Sequence, residues 1–589
     1  MIESWTAADV RAAEVPLLDA GYDLMELAAI ALATTSMPVL FSGDEEPDQP
    51  APRVALLVGS GANGGDALFA GAILAGRAGD DGAFLAEIVG QTDLPTSEVV
   101  AVCTSPQVHE AGLAALREAG GRVVDVCGGP TDPAWSGAVA DVLAADLVLD
   151  GLVGIGGVGP LRGIAAEFVR ALSAAGELTQ ELTAQRPNSG PGFVIQGASV
   201  EQILGPRPGR RRPRVVAVDL PSGIGVDDGT VAGPVMPADV TMTFGATKPG
   251  LLLPPAAHLV GDVHFVDIGL SQPIVDQGLV PAVMRMGAAD VAELWPVPGV
   301  RDHKYTRGVV GLVAGTSHFP GAAVLAATAA VRSGAGMVRY LGPEAVASTV
   351  VSARPEVVPA AGRVQAWAVG PGLPGIGADG GGPPAAGTDG AAQHARVREA
   401  LEQSRGIGPD GTEIDPVPVV ADAGALDVVA TVVQDGHRLA PHVLLTPHAG
   451  ELARLLRALG ERTSREDVEA APLAHARRAH ELTGATVLVK GSVTIVFGPD
   501  AVFSQAEAPT WLATAGAGDV LTGILGTLLA ARSAEAVATP GLTSRLAAAG
   551  AFVHGHCADR ANPGGPVAAL DVADAVSSVI AEILLENDA

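Results

Sequence analysis

The chain has 589 residues, 48% of them hydrophobic and only 3% aromatic, so Ala, Val, Leu and Gly must fill its cores, as suits helices laid on parallel strands. A formal net charge of −29 excludes a nucleic-acid partner and an anionic membrane surface, and an anionic ligand has to be held by local devices such as backbone amides or a bound cation. Three cysteines, Cys103, Cys127 and Cys557, lack metal spacing and cannot all pair, which points to a reducing cytoplasm.

This length accommodates two large α/β domains or about four ordinary ones. The opening Met1-Ile-Glu-Ser-Trp-Thr6 has neither a basic nor an apolar leader segment, and no apolar run reaches the roughly 18 residues of a membrane span. A soluble chain is the expectation. Residues 1–40 read as one or two helices, with Ser4 or Thr6 as the first cap. An apolar strand beginning at Arg53 runs through Gly59-Ser-Gly-Ala-Asn-Gly-Gly-Asp66 into a helical stretch. Such a turn aims amides at an anion, and this one carries Asn63 and Asp66; Asp66 also suits a helix cap.

Two more strand ends carry acids: Asp150, followed by the glycine-rich Gly151–Pro160, and Asp219, followed by Leu220-Pro-Ser-Gly223. In an open α/β sheet the carboxyl ends of the strands line the ligand crevice, and three such ends with glycines predict one shared site. Residues 171–213, ending in the arginine cluster Arg210-Arg-Arg212-Pro213, read as a surface insertion. Lys248 follows the strand Val240–Phe244 and is a candidate to face the crevice. Residues 271–300 read as a linker, giving domains at 1–280 and 281–589.

The second half repeats the strand–glycine–helix device. A strand at Val309–Ala314 leads through Gly315–Ala322 into a long small-residue helix, and Val364–Val369 ends in Gly370-Pro-Gly372. Residues 374–415 read as another insertion, with a short charged helix at His394–Gln403. Asp422 and Asp427 read as a cap and a surface charge, and His448, after a Thr-Pro pair, as a ligand contact or a turn stabiliser. Lys490 opens a hairpin, and His554 and His556 near Cys557 lack a fourth metal ligand and read as helix residues. The alternation predicts a second doubly wound α/β domain.

The stretch richest in chemistry is Thr514-Ala-Gly-Ala-Gly-Asp519, set directly before an apolar helical run. Glycines let amides approach an anion, and the first helical turn offers unpaired N–H groups. A carboxylate there repels phosphate, but it is well placed to take a proton from a hydroxyl attacking phosphorus.

From about residue 283 to 586 the chain resembles the ribokinase-like superfamily, and within it the ADP/ATP-dependent NAD(P)H-hydrate dehydratases. The resemblance is carried by His303-Lys-Tyr-Thr-Arg-Gly308, Arg332-Ser-Gly-Ala-Gly336, Gly370-Pro-Gly372, Leu445-Thr-Pro-His-Ala-Gly-Glu451, Lys490-Gly-Ser-Val-Thr494 and Ala515-Gly-Ala-Gly-Asp519. The first half resembles the Rossmann-like NAD(P)H-hydrate epimerase domain often fused to it, through Asn63-Gly-Gly-Asp66, Asp150 with Gly154–Pro160, and Asp219-Leu-Pro-Ser-Gly223. The resemblance implies a metabolite-repair enzyme, homo-oligomeric in the family, that epimerises R and S hydrates in its first half and dehydrates the S hydrate with ADP in its second. A small-molecule kinase fused to a non-catalytic binding domain is the alternative.

By the same resemblance, Asn63, Asp150 and Ser222 hold potassium, and Ala62, Asn63, Gly64, Gly65, Asp66, Gly154, Ile155, Gly156, Gly157, Val158, Gly159, Pro160 and Asp219 bind the hydrate. Asp219 is the acid/base candidate, with Lys248 second. In the dehydratase half Ala322, Gly372, His448 and Asp519 meet the hydrate, while Lys490, Gly491, Ser492, Val493, Thr494 and Gly518 meet the adenine nucleotide, whose phosphates are expected to carry magnesium. The family usually has a second Asn where this chain has Ala62, so a side-chain contact is missing there while the amide remains.

Overall fold

The computed structural model describes residues 1–41, 51–76, 96–175, 193–194, 212–375 and 388–587. Among these the chain divides into two compact units: Ser4 to Ala282, and Met1–Glu3 together with the residues from Val283 onward. The short strand β1 (Ile2–Ser4) belongs to the sheet of the second unit.

The first unit is built on eight strands: β2 (Arg53–Val58), β3 (Glu98–Cys103), β4 (Arg122–Asp125), β5 (Leu147–Gly151), β6 (Phe193–Val194), β7 (Arg214–Val218), β8 (Val240–Phe244) and β9 (Asp262–Val266). Their order is β4-β3-β2-β5-β7-β8-β9-β6, every pairing parallel. Both faces are covered, so β2 has no polar alternation. Val54, Leu56 and Val58 face the core shared with helices Leu24–Phe41 and Ala62–Leu74, while Ala55 and Leu57 face helices Trp135–Leu143 and Gly163–Ala174. From β2 the chain winds one way to β3 and β4, and from β5 the other way to β7, β8 and β9. The switch point therefore lies between β2 and β5, where a crevice opens at the strands' carboxyl ends.

The second unit adds β10 (Val283–Arg285), β11 (Val309–Val313), β12 (Met337–Tyr340), β13 (Ala366–Val369), β14 (Val419–Ala421), β15 (Val443–Leu445), β16 (Thr486–Val489), β17 (Thr494–Phe497) and β18 (Val502–Gln505). Their order, with β1, is β1-β10-β18-β17-β16-β15-β14-β13-β11-β12. The run from β12 to β16 is parallel and β16–β17–β18 is an antiparallel meander. The switch point here lies between β11 and β13. One face is packed by helices Pro320–Arg332, Ala517–Ala531, Leu542–Ala561 and Ala569–Asn587. Small residues let these helices approach closely: a Cβ on Gly523 would lie 2.3 Å from the Ala326 carbonyl oxygen.

Two segments differ from the sequence expectation. Residues 271–300 are not a bare linker but carry helix Ser271–Asp276, strand β10 and helix Ala288–Leu294. Of 374–415, the part from Asp389 to Gln403 is a helix whose Val397, Ala400 and Leu401 enter the core, a burial hidden by its Gly- and Ala-rich surroundings. Most of 171–213 lies outside the described residues, apart from the end of helix Gly163–Ala174, the β6 pair and Arg212–Pro213. Thr6, not Ser4, caps the first helix, in a reciprocal pair with Asp9. Among the described residues, no helix is long and apolar enough to cross a membrane, and all three cysteines are free thiols.

Candidate active sites

The crevice of the eight-stranded sheet is floored by the turn after β2. Gly61 is the N-cap of helix Ala62–Leu74 and provides no side chain, so Asp66 is not a cap: it sits in the second turn, buried. Asn63, one turn earlier on that face, donates its amide N–H to the Val218 carbonyl, the residue before Asp219. Its side-chain oxygen lies against Gly154, where a Cβ would stand only 1.9 Å from it. Only glycine fits at 154.

At the end of β5, Asp150 is fully buried. Its Oδ1 accepts from the Ser222 hydroxyl at 2.7 Å and its Oδ2 from the Ser222 amide at 2.9 Å. Burial pushes this carboxyl up, while the Ser222 bonds pull it back. Asp219 follows β7 in a left-handed conformation, φ 68°, which aims its carboxylate back over the strand ends. There Oδ1 accepts from Lys248 Nζ in a buried ion pair, from the Thr243 hydroxyl and from the Phe244 amide. Lys248, only 2% exposed, spends its other N–H bonds on Thr243 and the Phe244 carbonyl. It thus meets Asp219 directly rather than the open crevice. Burial, then Asp219 and Glu14, hold the Asp66 carboxyl well above the usual range.

The loop after β5 forms the rim. Gly157 N–H closes a turn onto Gly154 at 2.9 Å, Gly159 adopts φ 76°, and Val158 is 89% exposed. Ala62 is exposed at the mouth, with Gly64 and Gly65 buried behind it.

In the second unit, Gly516 (φ 91°) is the N-cap of helix Ala517–Ala531 and Asp519 falls in its first turn. Burial first, then the charge of Asp422, push the Asp519 carboxyl up to about 7, with Lys490 opposing. Asp422, at the end of β14, is 2% exposed and accepts from Lys490 Nζ at 2.6 Å and from the Thr446 hydroxyl at 2.9 Å. It is therefore neither a cap nor a surface charge, because the strand end delivers it inward. Gly518 covers this pair: a Cβ there would stand 3.2 Å from Lys490 Nζ. Glu451 Oε2 lies 3.7 Å from the same ammonium. Burial pulls Lys490 down, but Asp422 and Glu451 outweigh it and hold the ammonium above the ordinary lysine value.

At the switch point Gly372 (φ 68°) lies against Ala322, with 2.8 Å between the Ala322 Cβ and the position a Cβ on Gly372 would take. His448 caps helix Ala449–Ala458, its Nδ1 accepting from the Gly450 amide at 3.1 Å, while its Nε2 lies 3.6 Å from Glu451 Oε1 on an otherwise exposed ring. Lys490 continues beside this cap through its amide bond to the Pro447 carbonyl, 2.9 Å. Gly491 and Ser492 form the exposed tip of the β16–β17 hairpin, with Val493 buried and Thr494 starting β17.

Two family models match, one described as YjeF-related protein N-terminus over residues 21–250 and one as NAD(P)H-hydrate dehydratase over residues 310–577. The bifunctional NAD(P)H-hydrate repair enzyme of Mycobacterium leprae is 37% identical over 540 residues, covering 90% of this chain and 89% of the relative. The chain belongs to the bifunctional NAD(P)H-hydrate repair enzyme family. An NAD(P)H-hydrate epimerase of Clavibacter michiganensis is 37% identical over 46% of this chain and 91% of its own. Among solved structures, an ADP/ATP-dependent NAD(P)H-hydrate dehydratase from Bacillus subtilis aligns at TM-score 0.38 and 23% identity, covering 51% of this chain and 98% of its own.

In this repair-enzyme chain the structure adds residues that the sequence left unassigned. Asp422 joins Lys490 and Asp519, a link no local motif announces: Asp422 and Lys490 follow strand ends, whereas Asp519 sits in the first turn of a helix. Glu14, from helix Ala7–Asp19, comes within electrostatic reach of Lys248 and Asp219. Nothing local in the sequence marks Glu14, since it is one acid in an ordinary amphipathic helix.

Proposed function

We propose that the chain repairs hydrated NADH and NADPH. The crevice between β2 and β5 interconverts the R and S hydrates, with Asp219 as acid/base group and Lys248 holding it in place. The crevice between β11 and β13 dehydrates the S hydrate with ADP, giving NAD(P)H, AMP and phosphate.

The observation that carries this reading is Asp519, a carboxyl poised near neutrality in the first turn of a helix. A group titrating near 7 is half ionised at neutral pH, which suits a general base. The hydrated ring carries a hydroxyl that leaves poorly. Asp519 takes its proton as oxygen attacks the terminal phosphorus of the nucleotide, and the amides of Ala515–Gly518 stabilise the charge that develops. The ring nitrogen's lone pair then expels phosphate, and loss of the neighbouring carbon's proton restores the dihydronicotinamide. Ala322, Gly372 and the exposed ring of His448 bound the space for the hydrate; Lys490, the hairpin through Thr494 and Gly518 bound that for the nucleotide. Magnesium would come with the nucleotide, where it would neutralise phosphate charge.

Potassium fits the first crevice. Asp150 is a fully buried carboxylate whose partners are neutral, and Ser222 Oγ and the Val153 carbonyl lie with it. Hard oxygens around one uncompensated negative charge suit a monovalent cation, which Asp150, Ser222 and Asn63 would hold. Such an ion would offset repulsion between the acids of the site and the phosphates of the substrate.

The test is incubation of the full chain with hydrated NADH and either ADP or ATP, following dihydronicotinamide absorbance and the R/S ratio. Restored absorbance supports the reading; a stable phosphorylated product, or no change with either nucleotide, sinks it.

A further inference from the structure

The charge in the first crevice is unbalanced. Glu14, Asp66 and Asp219 act on one another there, and two cations oppose them: Lys248, whose N–H bonds are already spent on Asp219, Thr243 and Phe244, and Arg11, whose charge reaches Glu14. A dinucleotide brings further negative charge on its diphosphate, so its phosphates need cations at the mouth.

Two arginines touch the Gly154–Pro160 rim, one near each end. Arg11 Nη1 donates to the Ile155 carbonyl at 3.1 Å. Arg162 Nη2 lies 3.3 Å from where a Cβ on Gly159 would stand. Both residues are exposed, and among the described residues neither guanidinium makes an ion pair, whereas Arg53, Arg122 and Arg212 of the same unit pair with Glu98, Asp141 and Asp239. Between them the rim is open: Val158 is 89% exposed, and nothing lies within 4 Å of a Cβ on Gly156.

Arg11 is also held firmly. Its helix is capped by Thr6, its first amide donates to Asp227 Oδ1 at 2.7 Å, and Val10 and Ala13 on either side are buried. This helix precedes residue 21, where the family match begins.

We propose that Arg11 and Arg162 grip the diphosphate of the hydrated dinucleotide above this rim. The proposal rests on the epimerase reading of the crevice. Planar guanidinium groups bind phosphate oxygens in pairs, and they act on binding rather than on the bond-breaking step. Removing either should raise KM with kcat held, the mark of a uniform binding contact.

The experiment uses the full chain with hydrated NADH, comparing R11A, R162A and the double variant with wild type, and R53A as a control away from the rim. Epimerisation KM is expected to rise about tenfold for each single variant, with kcat nearly unchanged, since a charge-assisted hydrogen bond contributes roughly that factor or more. Arg→Lys changes should recover part of the loss, and R53A should match wild type. Hydrogen exchange of residues 154–160 provides a readout independent of turnover: hydrated NADH should protect this segment in wild type and not in the double variant. If the wild type fails to equilibrate the epimers but shows this difference in protection, the epimerase reading falls and the clamp stands. Equal protection in both, or an unchanged KM in all variants, overturns the clamp.

Discussion

Replacing Asp519 with Asn should abolish dehydration and at the same time stabilise the protein, by an amount that depends on pH. Asn has the shape of the protonated carboxyl and no charge. Asp519 is raised from an ordinary 3.8 to about 7 by burial and by Asp422. Between these two values the folded chain keeps a proton that the unfolded chain has released, so stability falls as pH rises through this window. At about 1.4 kcal/mol per pH unit, the raised carboxyl costs the fold about 4 kcal/mol at pH 8, where it is ionised, and, as the proton it must keep, about 2 kcal/mol at pH 5 and roughly half a kcal/mol at pH 4. D519N should therefore gain about that much over wild type at each pH. Urea unfolding at pH 4, 5 and 8, reading the transition that shifts, measures the gain. A variant no more stable than wild type at pH 8, or one whose gain is the same at every pH, refutes the reasoning. So does substantial remaining dehydration.

Three further outcomes follow from the same geometry. Asp422→Asn removes the charge that raises Asp519, so the acid limb of the dehydration pH–rate profile should move below 7; a limb that stays or rises contradicts the coupling. Lys248→Met strands a buried carboxylate and should cost about 3–5 kcal/mol, with most of the loss recovered when Asp219→Leu is added; two additive losses would show that the pair is not coupled. Gly370→Ala puts a Cβ 1.8 Å from the Asp422 carbonyl at φ 116°, and should eliminate dehydration while leaving R/S equilibration intact; normal ADP-dependent turnover would show that this strand end tolerates displacement.

Much of the architecture can be read along the chain. Apolar runs such as Arg53–Val58 are strands because both faces of the sheet are covered, and the glycines after them are turns because helices start there with free amides. Burial is less legible. Residues 271–300 look like a linker because their strand has only three residues, Val283–Arg285, and its partner β18 lies more than two hundred positions away. Helix Asp389–Gln403 looks like a surface insertion because its polar residues outnumber the few that reach the core.

The family, the two α/β units and the acids at several strand ends are legible along the chain, since each is written in a contiguous motif. Which of those acids act together emerges only once the chain is folded. Asp422, Lys490 and Asp519 come from a strand end, a β-hairpin and a helix N-terminus far apart in the chain, and Lys248 is the buried partner of Asp219. The reason is that a charge's behaviour depends on what surrounds it within a few ångströms, and those neighbours are set by how the sheet winds rather than by chain order.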